Sequence, residues 1–196
     1  REHLDRYVDI ARVFKSPLLR FVVDGDHYEP DNAEIINIIK EAIPRLEENN
    51  LVLGIENHDR FKAKELAFIM QSVDSEHVGI CLDCVNSIGA GEGLEWVSSV
   101  LLPFTVNLHV KDFTIQRVGH QMGFTVSGTP LGEGMIQLPL LLEKLAKHRR
   151  CESAVIEQWV PPEATLAETI RKEELWANKS IDYIKQLSSF YSSELS

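Results

Sequence analysis

Apolar residues along this chain follow two alternating patterns. Segments 3–14 (HLDRYVDIARVF), 31–48, 62–72, about 93–101, about 137–148 and about 166–189 space their apolar positions three or four apart, which predicts helices. Between them lie short continuous apolar runs at 18–23 (LLRFVV), 51–56 (LVLGIE), 78–83 (VGICLD), 106–110 (VNLHV) and around 154–157 (SAVIEQW). Runs that do not alternate belong to strands covered on both faces, the habit of a parallel sheet flanked by helices. Asp31 or Asn32 is placed to cap the second helix, and Pro44 inside it should bend or restart it. The stretch 113–134 is polar and Gly-containing, and its pattern predicts no element.

Two architectures accept such a βα series: an open doubly wound sheet or part of a closed barrel. An open nucleotide-binding sheet should carry a Gly-rich phosphate loop after its first strand. The residues there read DGDHYEPDN, which is no such loop. The only Gly-rich stretch, IGAGEG at 88–93, follows the third strand and lacks the G-x-G-x-x-G spacing. It reads as a βα connection, with a substrate-phosphate contact as the alternative. No linker or low-complexity segment divides residues 1–196, so the expectation is a single α/β domain.

Length adds a constraint. The chain has 196 residues, and a complete (β/α)8 barrel typically needs about 250. Arg1 opens directly into an amphipathic segment, so the expectation is a partial barrel lacking its N-terminal strands. Such a chain is either a fragment or one that pairs with another. Hydrophobic residues at 44% and charged residues at 26% are ordinary for a soluble globular protein. There is neither a membrane-length apolar run nor a signal peptide, which predicts a cytoplasmic protein with no membrane partner. The net charge of −10 counts against nucleic acid. Cys81 and Cys84 form a C-x-x-C with no second pair, and with Cys151 they read as packed thiols in a reducing compartment.

The chemistry lies in how the strands end. LVLGIE ends in Glu56, VGICLD in Asp83, VNLHV carries His109, and SAVIE ends in Glu157. Glu56 and Asp83 are 27 residues apart and Asp83 and His109 are 26, about one βα unit each. Four successive units thus place a carboxylate or an imidazole at the strand edge where parallel sheets bind ligands. Buried carboxylates are costly unless paired or bound to a cation. Three of them with one imidazole suit a single Mn²⁺, Mg²⁺, Co²⁺ or Zn²⁺ ion. Strand alternation would bring His58, Lys111 and Trp159 to the same face, two residues beyond Glu56, His109 and Glu157. Lys111 is placed to stabilise a developing oxyanion, Trp159 to wall a sugar ring, and Asn86 to contact substrate or bound water. Asp26 and His27 close the first strand and are candidates for the same mouth.

At these residues the chain resembles the xylose isomerase-like barrel superfamily, in its sugar phosphate isomerase/epimerase group. The matching stretches are GIENH (54–58), ICLDCVNS (80–87), NLHVKD (107–112), GEG (132–134) and VIEQW (155–159). The resemblance implies the fourth to eighth strands of a (β/α)8 barrel, with strands one to three missing. It implies Glu56, Asp83, His109 and Glu157 as ligands of one divalent metal, with Glu56 and Glu157 doubling as the acid/base pair. The implied reaction is isomerisation or epimerisation of a sugar by proton abstraction beside a metal-bound carbonyl, through an enediolate. A dehydratase or lyase acting on a sugar or cyclitol shares the scaffold, and a non-catalytic sugar-binding protein is the reading of another class. A homo-oligomer is left open. Ketose epimerases of the group usually carry His at the place of Asn86 and Arg near that of Lys111. The DNA-repair endonuclease branch has extra zinc ligands where this chain has Asn86, Val126 and Gly128.

Overall fold

The computed structural model describes residues 2–25 and 27–194, with side chains for 4–25 and 27–188. Asp26, named above as a candidate, lies outside the described residues. In chain order the elements are α1 (Glu2–Phe14), β1 (Leu18–Phe21), α2 (Asn32–Glu48), β2 (Val52–Glu56), α3 (Ala63–Val73) and β3 (Val78–Asp83). They continue with α4 (Leu94–Leu101), β4 (Thr105–Val110), β5 (Asp112–Arg117), β6 (Phe124–Thr129), α5 (Leu138–Ala146), β7 (Ser153–Ile156) and α6 (Leu166–Glu194). A five-stranded sheet runs in the order β1-β2-β3-β4-β7, and a separate two-stranded sheet is made by β5 and β6. The five strands fall on the five apolar runs. β1 is shorter than its run, because the chain leaves the ladder after Phe21.

The described chain forms two compact units, residues 1–108 with 145–154, and residues 109–144 with 155–196. In the first, β1 pairs with β2 and β2 with β3, both parallel. All six residues of β3 are buried, as its uninterrupted apolar sequence requires. Gly79 in β3 makes room for the Phe104 carbonyl and the Val106 side chain, which a Cβ would strike. α2 buries Ile35, Ile39, Ala42 and Leu46, one helical stripe, and α3 buries Leu66, Ile69, Met70 and Val73.

Pro44 neither ends nor restarts α2, which runs unbroken from Asn32 to Glu48. Both Pro44 and Lys40, whose carbonyl loses its i→i+4 donor, are exposed, so water can take the place of the missing N–H. Asp31 is the N-cap, its side chain accepting from the Glu34 amide at 2.8 Å.

A buried polar chain ties three strands of this unit. The Cys81 thiol donates to Asn107 Oδ1 at 3.2 Å, and Asn107 Nδ2 donates to Ser153 Oγ at 2.8 Å and to the Ser153 carbonyl at 3.1 Å. Asn107 is 2% exposed, so truncating it opens a cavity and removes three buried or part-buried hydrogen bonds. Asn107→Ala is expected to lower unfolding free energy by about 1–3 kcal/mol, read as a shifted urea midpoint at unchanged m-value. An unchanged midpoint would mean that the chain contributes nothing net. Cys81 and Cys84 are buried thiols, and burial pushes the Cys151 thiol above its ordinary pKa.

In the second unit the polar stretch after β4 is a β-hairpin, where the sequence pattern predicts no element. β5 and β6 pair antiparallel from Asp112↔Thr129 to Arg117↔Phe124. Residues 118–123 (VGHQMG) make the turn, closed by Val118 N–H donating to the Gly123 carbonyl at 3.1 Å. Arg117 stacks 4.5 Å above the Phe124 ring and donates to the Gln121 carbonyl at 2.8 Å.

Candidate metal centre

Within the first unit, β2 and β3 end in the two carboxylates picked out by the sequence. Glu56 is 4% exposed and Asp83 is 1% exposed. Asn57, fully buried, clasps the two strand ends. Its Oδ1 accepts from the Asp83 amide at 2.6 Å, and its Nδ2 donates to the Asp83 carbonyl at 3.0 Å and to Ser87 Oγ at 2.9 Å. The side chain thus extends the ladder beyond the point where β2 stops. Asp83 Oδ1 in turn accepts from the Val85 and Asn86 amides, each at 2.7 Å, which caps the 3-10 turn Asn86–Ile88 and fixes the carboxylate plane.

Glu56 is held from two sides. Asn86 Nδ2 donates to Oε1 at 3.1 Å, and Arg20 Nε lies 3.2 Å from Oε2. The contact that Asn86 makes here is to Glu56. Two buried carboxylates stand here beside one guanidinium. Buried carboxylates are costly unless paired or bound to a cation, and two of them converging here are donors of the kind a hard metal ion takes.

Arg20 and Asn57 did not enter the sequence reading. Arg20 had a signal, being the only charge in an apolar strand run. Asn57 had a weaker one, a polar residue directly after a buried strand.

Within the second unit, His109 and Lys111 face Glu157. Glu157 follows β7 directly, and its amide donates to the Val110 carbonyl at 2.9 Å. Glu157 Oε2 lies 3.2 Å from His109 Nδ1 and 3.0 Å from Lys111 Nζ. Lys111 thus takes Glu157, and not its neighbour Asp112, as its carboxylate partner.

Asp112 has another task. Its Oδ1 accepts from the Phe113 and Ile136 amides at 2.9 and 3.0 Å, and its Oδ2 from the Gly132 and Gly134 amides at 3.0 and 3.1 Å. The GEG turn wraps this carboxylate so closely that a Cβ at Gly134 would collide with it. Gly132 has φ +84 and lies against the Tyr183 ring of α6.

The remaining candidates sit differently. β2 ends at Glu56 and β7 at Ile156, so the alternation that assigns His58 and Trp159 a direction stops before it reaches them. His58 is half-buried, and Trp159 is 51% exposed with its backbone carbonyl packed on Gly128. His27 is exposed, in a turn at φ 62. Among the described residues no helix is long and apolar enough to cross a membrane.

Comparison with known proteins identifies the fold and the family. The family model described as xylose isomerase-like TIM barrel matches residues 1–187. A 3-oxo-isoapionate decarboxylase of Pectobacterium atrosepticum is 31% identical over 183 residues, covering 93% of this chain and 66% of that protein. A xylose isomerase-like TIM barrel protein of Mycobacterium smegmatis, solved in complex with magnesium, superposes with a TM-score of 0.65 at 13% identity. That match covers 90% of this chain and 65% of the other. An L-ribulose 3-epimerase gives a TM-score of 0.68 at 12% identity, covering 99% and 69%. The chain therefore spans about two thirds of the length of these relatives.

Proposed function

The chain belongs to the xylose isomerase-like TIM barrel family, and from that premise we propose that it carries the metal-dependent site of an enzyme acting on a sugar-derived carbonyl compound. In this reading Glu56, Asp83, His109 and Glu157 ligate one divalent ion. The observation that carries it is the chemistry of the four side chains. Three carboxylates and one imidazole, three of the four buried and the fourth half-buried, end successive strands of a five-stranded sheet. A divalent ion there would supply Lewis-acid polarisation of a substrate carbonyl.

The chain's own residues do the rest. Arg20 and Asn86 hold Glu56 in one orientation. Asn57 and two backbone amides do the same for Asp83. Glu157 is the group for moving a proton at the carbon next to the carbonyl, with Glu56 as its partner in the acid/base pair. Lys111, 3.0 Å from Glu157, places a fixed positive charge where an enediolate oxygen would develop. Reprotonation at the neighbouring carbon gives an isomerase, and reprotonation on the opposite face an epimerase. His27, His58, Asn86 and Trp159 are the proposed substrate contacts. The substrate is a small sugar derivative, without a nucleic-acid or membrane partner.

A second reading is favoured by the 31% identity to a decarboxylase and by Asn86 and Lys111 standing where ketose epimerases of the group usually have His and Arg. In a decarboxylase the electron pair left beside the carbonyl comes from a broken bond to a carboxylate carbon instead of a C–H bond. CO₂ departs, and the same acid then protonates the carbon. Either outcome uses the same stabilised oxyanion.

Elemental analysis tests the shared premise and is expected to find about one divalent ion per chain. Substrate proton exchange into D₂O without gas release would then favour the isomerase, and CO₂ release the decarboxylase. A protein that takes up none of Mn²⁺, Mg²⁺, Co²⁺ or Zn²⁺ would sink both.

A further inference from the structure

Resting on the metal-site reading above, we propose that Arg20 binds a substrate carboxylate, so that the substrates are sugar-derived acids and not neutral sugars. Arg20 is the single charged residue in β1 (LLRF), where a charge is costly unless it has work to do. It pairs in register with Gly54, two residues before Glu56, so Arg20 and Glu56 leave the sheet on the same face. Gly54 puts no side chain between them.

The geometry leaves much of the guanidinium available. Arg carries five N–H donors in a planar fork. Nε is the atom 3.2 Å from Glu56 Oε2, and among the described residues nothing accepts from Nη1 or Nη2. The Arg20 side chain is 44% exposed while that of Glu56 is 3% exposed. The contact to the buried carboxylate is therefore made through Nε, on a side chain that is itself nearly half exposed. The Nη donors match a carboxylate in the two-bond geometry guanidinium favours.

Charge makes the same selection. The proposed site would hold three carboxylates, one divalent ion, Lys111 and Arg20, which leaves one positive charge. A monoanion neutralises it, whereas a phosphate dianion overshoots and a neutral sugar leaves it unmet. In a protein with a net charge of −10, such a local positive focus is what lets an anion approach. Balancing Glu56 alone would need only a point charge, which lysine provides as well.

The test is isothermal titration of the full chain loaded with Mn²⁺, using threonate, threitol and erythritol 4-phosphate as probes. Threonate is expected to bind at least about tenfold more tightly than either of the others, as expected for a charge-assisted bidentate pair. Arg20→Gln should remove most of that preference, so that threonate loses several-fold more affinity than threitol. Arg20→Lys should keep Mn²⁺ and recover only part of the preference, and it serves if the glutamine variant fails to fold by circular dichroism.

Absent threonate binding, equal binding of threonate and threitol, a preference for the phosphate, or a threonate preference that survives Arg20→Gln would each overturn the assignment. If Mn²⁺ binds but threonate is not preferred, this inference alone fails. If Mn²⁺ does not bind, the metal-site reading falls and takes this inference with it.

Discussion

Replacing Glu157 by glutamine is expected to lower kcat by about a thousandfold or more, within the range that a positioned acid/base group contributes, and to release the metal. The substitution preserves shape, so the amide that donates to Val110 should stay in place. What changes is charge. Lys111 Nζ and His109 Nδ1 both lie within 3.2 Å of Glu157 Oε2, and an amide nitrogen turned toward the lysine would repel it. Turned the other way, the amide still lacks the negative charge that the proposed ion and Lys111 would share. Metal affinity should fall by more than about a hundredfold, since losing even an outer partner of a ligand typically costs about 10–100-fold.

Lys111→Met separates the roles: it should slow turnover while leaving about one metal per chain. If Glu157→Gln retains both full metal content and wild-type kcat, Glu157 is neither ligand nor base.

Much of this was legible because strand ends in a parallel sheet are where sequence and function coincide. Glu56, Asp83 and Glu157 each close an apolar run, and His109 sits one residue before the end of one. Glu56, Asp83 and His109 are spaced 27 and 26 residues apart, about one βα unit each, so their positions at strand ends could be read without knowing a single contact.

Residues just past the strands were harder, because the two-residue alternation holds only while the ladder continues. That is why a direction assigned to His58 or Trp159 had no support once β2 ended at Glu56 and β7 at Ile156. The hairpin of β5 and β6 escaped for another reason. Its turn has six residues and no Asn-Gly or Asp-Gly signal. Its apolar members Ile115 and Phe124 are exposed, so no buried face imposes a clean alternation. Pro44 does not restart α2, because a helix interior tolerates proline where the orphaned carbonyl faces water.

Asp112 was the least legible of all, since nothing in NLHVKD says that its last residue will be wrapped by a turn twenty residues later. The loss of that side chain should nonetheless produce a large stability change. Its two oxygens accept four backbone N–H groups, and two of these four bonds, from Phe113 and Ile136, are buried. Asp112→Ala would leave those donors without an acceptor. At about 1–3 kcal/mol for each buried donor left unsatisfied, and with the other two bonds partly replaced by water, the expected loss is about 3–5 kcal/mol.

Asparagine should recover less than half of it. Only one of its terminal atoms accepts, so whichever pair of amides meets the NH₂ group faces donor against donor. The turn is also fixed from the far side, by the Leu131 amide donating to Ser180 Oγ at 3.1 Å and by Lys179 Nζ at 2.8 Å from Glu133. Freed from Asp112, it should remain tethered to α6 while detaching from β5. Amide exchange at Gly132, Gly134 and Ile136 should therefore accelerate more than exchange at Leu131. Urea unfolding of both variants, read with that exchange pattern, decides the matter: a loss under about 1 kcal/mol for alanine would mean that water replaces the carboxylate and the clasp is incidental.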